Sequence, residues 1–301
     1  MTDKEKSINN IAILTMDCLY STIYLNALMT TLSGRVKVIM VSDRIGEKYG
    51  SAPKQGLDHF RQSGFKFILY LLAVHGLHKP LFLIGNIVRR ILNRPRIFLL
   101  SALAKHHNIE FMVVKDINSK QVKEKLTEIN PDLIISAYFD QILDKDVFEA
   151  ATYGTINFHP GYLPDNPGPA PTFWAIAENR PVGSTIHFID SGIDTGDIIV
   201  KQQVAHNASN SHIGLEYAIF ATAHELTIQA IEMVQTNTAV PLSREGERVY
   251  HSYPDANAFI KLEQAGKCYF NLRDYAAFFT YVLPHAPNPT PPIHLKSDQA
   301  A

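Results

Sequence analysis

Short apolar runs alternate with helical patterns through the first two thirds of the chain. Apolar runs that end at turn residues are typical of buried strands. They predict strands over 10–14, 35–41, 109–114, 133–137, 154–158, 185–190 and 198–204. Helical spacing predicts helices over 20–32 and 119–129, the second ending before Asn130-Pro131. This alternation predicts an α/β domain with a doubly wound, mostly parallel sheet, which would bind ligands at the carboxyl ends of its strands.

Two regions depart from the alternation. Residues 44–64 are polar and predict a loop, whereas 65–105 predict helices with a break near 76–80. We therefore expect a helical insertion over about 55–100. After residue 210 the pattern predicts helices only, over 212–236, 255–264 and 273–281, and then a tail over 284–301 with five prolines. We predict a catalytic domain over 1–205 and a small, mainly helical C-terminal region over 206–301.

The stretch Phe65–Gly85 is apolar enough to need a comparison with membrane helices. Lysines, histidines, glycines and a proline interrupt it, and its uninterrupted apolar part is about half of the roughly 20 residues that a span requires. The length favours a buried or partner-facing helix over an interfacial membrane helix, and disfavours a span. Arginines follow at 89, 90, 94 and 96, so contact of residues 65–96 with a membrane surface stays open as the less favoured alternative.

Composition and charge limit the partners and the cellular compartment that we expect for the chain. The 301 residues carry a formal net charge of −1, which gives no global attraction to nucleic acid. The two cysteines, Cys18 and Cys268, lie far apart and have no metal-ligand spacing. We expect a reducing cytoplasmic location and no metal site. Residues 1–10 lack the apolar core of a signal peptide.

Residues 154–197 hold the side chains that are best suited to chemistry. Asn157 and His159 are two positions apart, so they share one face of a strand end. The glycine-rich turn 191–197 adds Asp194. An amide, an imidazole and a carboxylate can together stabilise an oxyanion and move a proton in acyl transfer. Spacing alone also fits a structural histidine and an ordinary Asp-Gly turn.

A longer set of motifs adds a resemblance. Asn157-Phe158-His159-Pro160, with Leu163-Pro164, Gly168 and Ala170-Pro171, is similar to a signature of the folate-dependent formyltransferases. The turn Ile193–Ile198 resembles the Asp-Thr-Gly-Asp element of that family. Asn130–Leu133 and the following Phe139–Leu143 resemble its strand and folate-binding loop. The resemblance is good over residues 100–205 and holds only in outline over 8–45.

The resemblance implies roles for particular residues. The donor would be 10-formyltetrahydrofolate, and the catalytic set would be Asn157, His159 and Asp194, with Asp194 keeping His159 charged. No metal would be needed. The folate would be held, largely through backbone groups, by Phe139, Asp140, Gln141, Ile142, Leu143, Asp190, Ser191, Gly192 and Ile193.

The formyl acceptor is less constrained. A glycinamide ribonucleotide acceptor would need a glycine-rich phosphate loop after the first strand, but residues 14–21 hold no glycine. A methionyl-tRNA acceptor would need a basic C-terminal region, but residues 205–301 hold six Lys and Arg against nine Asp and Glu, a net charge of −3. We therefore favour the primary amine of a small molecule, such as an amino sugar. A formyltetrahydrofolate hydrolase and a folate-binding module without turnover stay as alternatives, and the oligomeric state stays open.

Overall fold

Seven strands form one sheet in the computed structural model, which describes residues 7–43, 52–205, 211–241, 246 and 248–283. The order across the sheet is β3-β2-β1-β4-β5-β6-β7. The strands are β1 Ile11–Met16, β2 Val36–Ser42, β3 Glu110–Val114, β4 Leu133–Ala137, β5 Thr155–His159, β6 Gly183–Phe188 and β7 Ile198–Gln203. Strands β1 to β5 pair in parallel, and β6 and β7 pair antiparallel. The predicted mostly parallel sheet is confirmed.

Both faces of the sheet are covered, as a doubly wound sheet requires. Alternate residues of β1 enter different cores: Ile11 and Ile13 face one, and Ala12 and Leu14 face the other. The helices are α1 Leu19–Leu32, α2 Ala52–Leu71, α3 His78–Ile91, α4 Leu100–His106, α5 Lys120–Ile129, α6 Lys145–Phe148, α7 Pro171–Ala177, α8 His212–Gln235, α9 Ala256–Gln264 and α10 Leu272–Thr280. The larger core holds residues of α1, α7, α8, α9 and α10.

The C-terminal helices pack onto the α/β domain. Helix α8 contacts α1, β6 and β7, and α10 contacts α8 and α3. Ile219 and Phe220 of α8 are buried in the larger core beside the sheet. The division of the chain near residue 205 stays a prediction, and the proline-containing tail over 284–301 lies outside the described residues.

The helical insertion begins earlier than the sequence predicts. A loop over 44–64 is wrong from Ala52 onward, where α2 begins; residues 44–51 lie outside the described part. The sequence does not predict this part of α2 because the segment is polar and contains glycines, which disfavour helices. One of them, Gly64, adopts φ 78 and kinks α2, a conformation that costs glycine little. A π-helical turn, Leu72–Gly76, joins α2 to α3, and residues 92–99, predicted to be largely helical, are irregular.

Helix α3 has one face on the protein and one face in solvent. On the inner face, the Phe82 ring lies 5.1 Å from the Phe279 ring, and Asn86 Nδ2 donates to the carbonyl of Ile97 at 2.7 Å. The opposite face exposes large aliphatic side chains, at positions 83, 84, 87, 88 and 91. Helix α3 is therefore buried on one face only, and the expectation of a buried or partner-facing helix stays a prediction.

No single helix among the described residues is long and apolar enough to cross a membrane. Two segments, Ser63–Gly76 and His78–Ile91, meet the length and composition together but are bent by 54°.

Candidate active site

A cavity of about 530 Å³ opens at the carboxyl ends of β4 and β5. Asn157, His159 and Asp194 all line it. The nine residues predicted to hold folate also line it: Phe139, Asp140, Gln141, Ile142, Leu143, Asp190, Ser191, Gly192 and Ile193. The structure thus brings together every predicted site residue, while the roles of these residues stay predictions.

Strand β5 positions Asn157 through its pairing with β6. Asn157 lies opposite His187 in the antiparallel ladder, and Asn157 Nδ2 is 3.2 Å from His187 Nε2. His187 Nδ1 lies 2.7 Å from the carbonyl oxygen of Phe188. Because a carbonyl only accepts, Nδ1 carries a hydrogen, and in the tautomer protonated only there Nε2 can accept from the Asn157 amide. The sequence prediction missed His187, since the signal for it is the strand register.

His159 is buried and held from two sides. Its Nε2 donates to the carbonyl of Asn166 at 2.7 Å, and its Nδ1 lies 3.7 Å from Asp194 Oδ2. The ring packs against Gly161, where a Cβ atom would come within 2.5 Å of Nε2. Glycine is therefore required at 161 for the backbone to approach the imidazole this closely.

Asp194 contacts both histidines from the glycine-rich turn. Its backbone has φ 51, a left-handed conformation that Asp tolerates better than most residues. Oδ2 accepts from the backbone N–H of Gly168 at 2.7 Å, and Oδ1 lies 3.5 Å from His187 Nε2. One carboxylate therefore joins the β5 and β6 histidines to the proline-rich loop.

Burial and charge set the protonation of this group. Burial lowers the pKa of His159, and the attraction of Asp194 only partly offsets it. Burial alone would raise the pKa of Asp194, but His159, His187 and the Gly168 N–H together hold it well below its ordinary value. A neutral imidazole therefore faces an ionised carboxylate at pH 7. The expectation that Asp194 keeps His159 charged stays a prediction: burial of the ring opposes the charge, and Asp194 favours it.

Aromatic side chains form the far wall of the cavity. Phe67, Tyr70, Leu71 and His75 come from the helical insertion. Tyr250, Tyr253 and Tyr269 come from the segment after α8, and Phe173 comes from α7. No Lys or Arg is among the described residues that line the cavity. Local sequence patterns do not reveal this wall as a whole, because its members are far apart along the chain.

A buried polar cluster joins this wall. Glu216 Oε2 accepts hydrogen bonds from the hydroxyls of Tyr20 and Tyr70, the latter at 3.0 Å. His212 Nε2 lies 3.5 Å from Glu216 Oε1. Burial raises the pKa of Glu216 to about 8 and lowers the pKa of His212 to about 3. At pH 7 the cluster therefore holds a protonated carboxyl group and a neutral imidazole.

Comparisons with known proteins agree with this geometry. Residues 93–231 match the family profile described as Formyl transferase. Methionyl-tRNA formyltransferase of Clostridium botulinum is 37% identical over 134 residues, which cover 44% of this chain and 43% of that protein. The chain thus spans about half the length, or less, of the curated relatives it matches.

Two solved structures share the fold. Glycinamide ribonucleotide transformylase 1 from Symbiobacterium toebii superposes with a TM-score of 0.53 at 18% identity, covering 81% of this chain and 95% of that one. A sugar N-formyltransferase from a Shewanella species gives a TM-score of 0.52 at 15% identity, covering 85% and 87%. The match over residues 93–231 to the formyl transferase family agrees with the family that the sequence motifs predicted.

Proposed function

We propose that this protein transfers a formyl group from 10-formyltetrahydrofolate to the primary amine of a small molecule such as an amino sugar. The observation that carries the proposal is the convergence of Asn157, His159 and Asp194 at the strand ends in one cavity. The cavity continues past them to the aromatic wall, so it has room for an acceptor beside a donor.

The donor side fits a flat heterocycle. Loop residues 139–143 and turn residues 190–193 line the cavity together with the catalytic set. Ile142 is 77% exposed and Ile193 is 47% exposed. A pteridine ring between the two segments would bury both side chains. Backbone N–H and C=O groups would form hydrogen bonds with the edge of the ring.

The three polar side chains can carry the transfer. A neutral amine attacks the formyl carbon, and the carbonyl electrons move to its oxygen. One amide hydrogen of Asn157 bonds His187, which leaves the second for the developing oxyanion. His159 Nδ1 takes the proton that the amine loses, and Asp194 stabilises the imidazolium. The proton then goes to the donor nitrogen as its bond to the formyl carbon breaks.

The wall chemistry supports a small, uncharged acceptor. The aromatic faces suit the faces of a sugar ring, and the hydroxyls of the exposed Tyr250 and Tyr253 suit its edges. A phosphorylated acceptor would call for Lys or Arg, which the described lining does not contain. Identity to methionyl-tRNA formyltransferases makes methionyl-tRNA the second candidate, and the net charge of −3 over residues 205–301 opposes it.

An acceptor screen tests the proposal. The full chain is mixed with 10-formyltetrahydrofolate and a panel of amino sugars, other small amines and methionyl-tRNA, and formylated products are followed by mass. We expect tetrahydrofolate release only with a small amine, and no release by Asp194→Asn. Release of tetrahydrofolate with water alone would identify a hydrolase, and formylation of methionyl-tRNA would identify the second candidate. No release with any acceptor would identify a binding module. Each of these outcomes would overturn the proposal.

A further inference from the structure

Helix α3 presents an apolar stripe that nothing in the described structure covers. Ile84, Ile87, Val88 and Ile91 are exposed by 60%, 64%, 50% and 78%, and their spacing places them on one face of the helix. On the opposite face, Phe82 is buried and Arg89 donates to the carbonyl of Tyr281 at 2.6 Å. The stripe therefore points away from the core, and a patch of this kind marks an interaction surface.

The charges around the stripe indicate what covers it. Residues 59–109 hold eight Lys and Arg and no Asp or Glu. The whole chain has a net charge of −1, so the remaining residues carry −9. Lys66 and Lys79 are paired with Glu263 and Asp17. Arg90 and Arg94 are exposed, and neither has an acidic partner within the described part of the chain.

We propose that the α3 stripe binds the surface of a membrane that contains anionic lipids. An apolar stripe beside a row of arginines is the pattern of helices that lie in the membrane interface. Anionic headgroups would supply the negative charge that the segment lacks. The 14 residues of α3 extend about 21 Å, which is shorter than the roughly 30 Å hydrocarbon core, so the helix lies on the bilayer rather than across it.

A second copy of the chain fits the stripe less well. A symmetric contact would bring the basic segments of two copies together, and like charges in an interface oppose binding. The membrane proposal does not depend on the formyl transfer, because no residue of the stripe lines the cavity.

Vesicle sedimentation tests the membrane proposal with the full chain. One set of vesicles is phosphatidylcholine alone, and the other contains about one third phosphatidylserine. One variant removes apolar surface, Ile87→Ser with Ile91→Ser, and a second removes charge, Arg90→Gln with Arg94→Gln. The matched controls are Val113→Ser with Val240→Ser, which are 59% and 70% exposed, and Lys120→Gln with Lys145→Gln, which are 89% and 74% exposed.

We expect the wild type to sediment with the anionic vesicles, and less so at high salt. The arginine variant should lose roughly twentyfold in partitioning and the isoleucine variant at least about tenfold, while both controls stay within about twofold. Thermal unfolding checks that each variant is folded. If the isoleucine variant is unfolded, the arginine variant alone tests the proposal. Failure to sediment, equal binding to neutral vesicles, or a dimer in solution that the isoleucine changes dissociate would overturn the proposal.

Discussion

The strand ends and the outer helices of this protein differ in how their sequence determines their structure. Asn157 and His159 are two residues apart on one strand, so the backbone alone puts them side by side. The aromatic wall joins Phe67, Tyr70 and Tyr269, which are about two hundred residues apart at most and meet only through packing. The predicted catalytic residues therefore lie in short motifs that the sequence reveals, whereas the proposed acceptor wall forms only through tertiary contacts.

The largest effects should follow changes at the strand ends. Asn157→Ala, His159→Ala and Asp194→Asn should each lower kcat at least about a hundredfold, since one lost electrostatic contact to the reacting group costs about 3 kcal/mol. Steady-state kinetics with the acceptor found in the screen, alongside thermal unfolding, measures this. Tyr253→Phe on the outer wall is the control and should change KM more than kcat. Near-wild-type turnover in any of the three would remove that residue from the mechanism.

Gly161→Ala tests whether the backbone approach to His159 matters. The added Cβ would lie 2.5 Å from His159 Nε2 and 2.7 Å from Pro171 Cβ, so the ring must leave the Asn166 carbonyl. Misplacement of a catalytic group by about 1 Å costs up to about a hundredfold, and we expect kcat to fall about thirtyfold. The control Gly34→Ala has open space around the new Cβ. Equal activity of both variants would show that the loop moves without disturbing the ring.

Glu216→Gln tests the pH dependence of stability that the buried carboxyl group of Glu216 produces. Burial holds the pKa of Glu216 at about 8 in the folded protein, against an ordinary value of 4.5. The folded state therefore binds the extra proton, and its stability falls as pH rises toward 8. Between pH 6.5 and 8 the loss should be about 1.5 kcal/mol. His212, with its pKa lowered to about 3, changes the pH dependence of stability only below about pH 6.5.

The Gln side chain does not titrate, so urea unfolding of that variant should lack the decline between pH 6.5 and 8. The same decline in both proteins would assign it to another group.

The smallest effect should come from the cap of α9. Asp255 accepts from the N–H of Ala258 at 2.8 Å, and its replacement by Ala should cost about 1 kcal/mol of unfolding free energy. Asp255→Asn keeps the acceptor and should stay close to the wild type. Because α9 is remote in sequence from the catalytic motifs, kcat should not change in either variant. A large fall in kcat would mean that the two regions are coupled.

The sequence predicted the fold through its apolar runs. Residues such as Leu133–Ala137 are apolar and buried on both faces of the sheet, so composition alone marks the strand. It missed the first half of α2, where a kink at Gly64 interrupts the periodicity. The same reasoning found Asn157 and His159 but not His187, because the β5–β6 register that pairs it with Asn157 is a long-range property. It also could not foresee that burial lowers the pKa of His159.

Helix α2 has a consequence for how this protein can change over evolutionary time. It contributes Phe67 and Tyr70 to the cavity, yet it lies outside the segment 93–231 that matches the family profile. If the wall selects the acceptor as proposed, substitutions there alter which molecule enters while the predicted catalytic residues stay in place. Selection, or a designed library confined to the insertion, can thus explore new acceptors on an unchanged reaction.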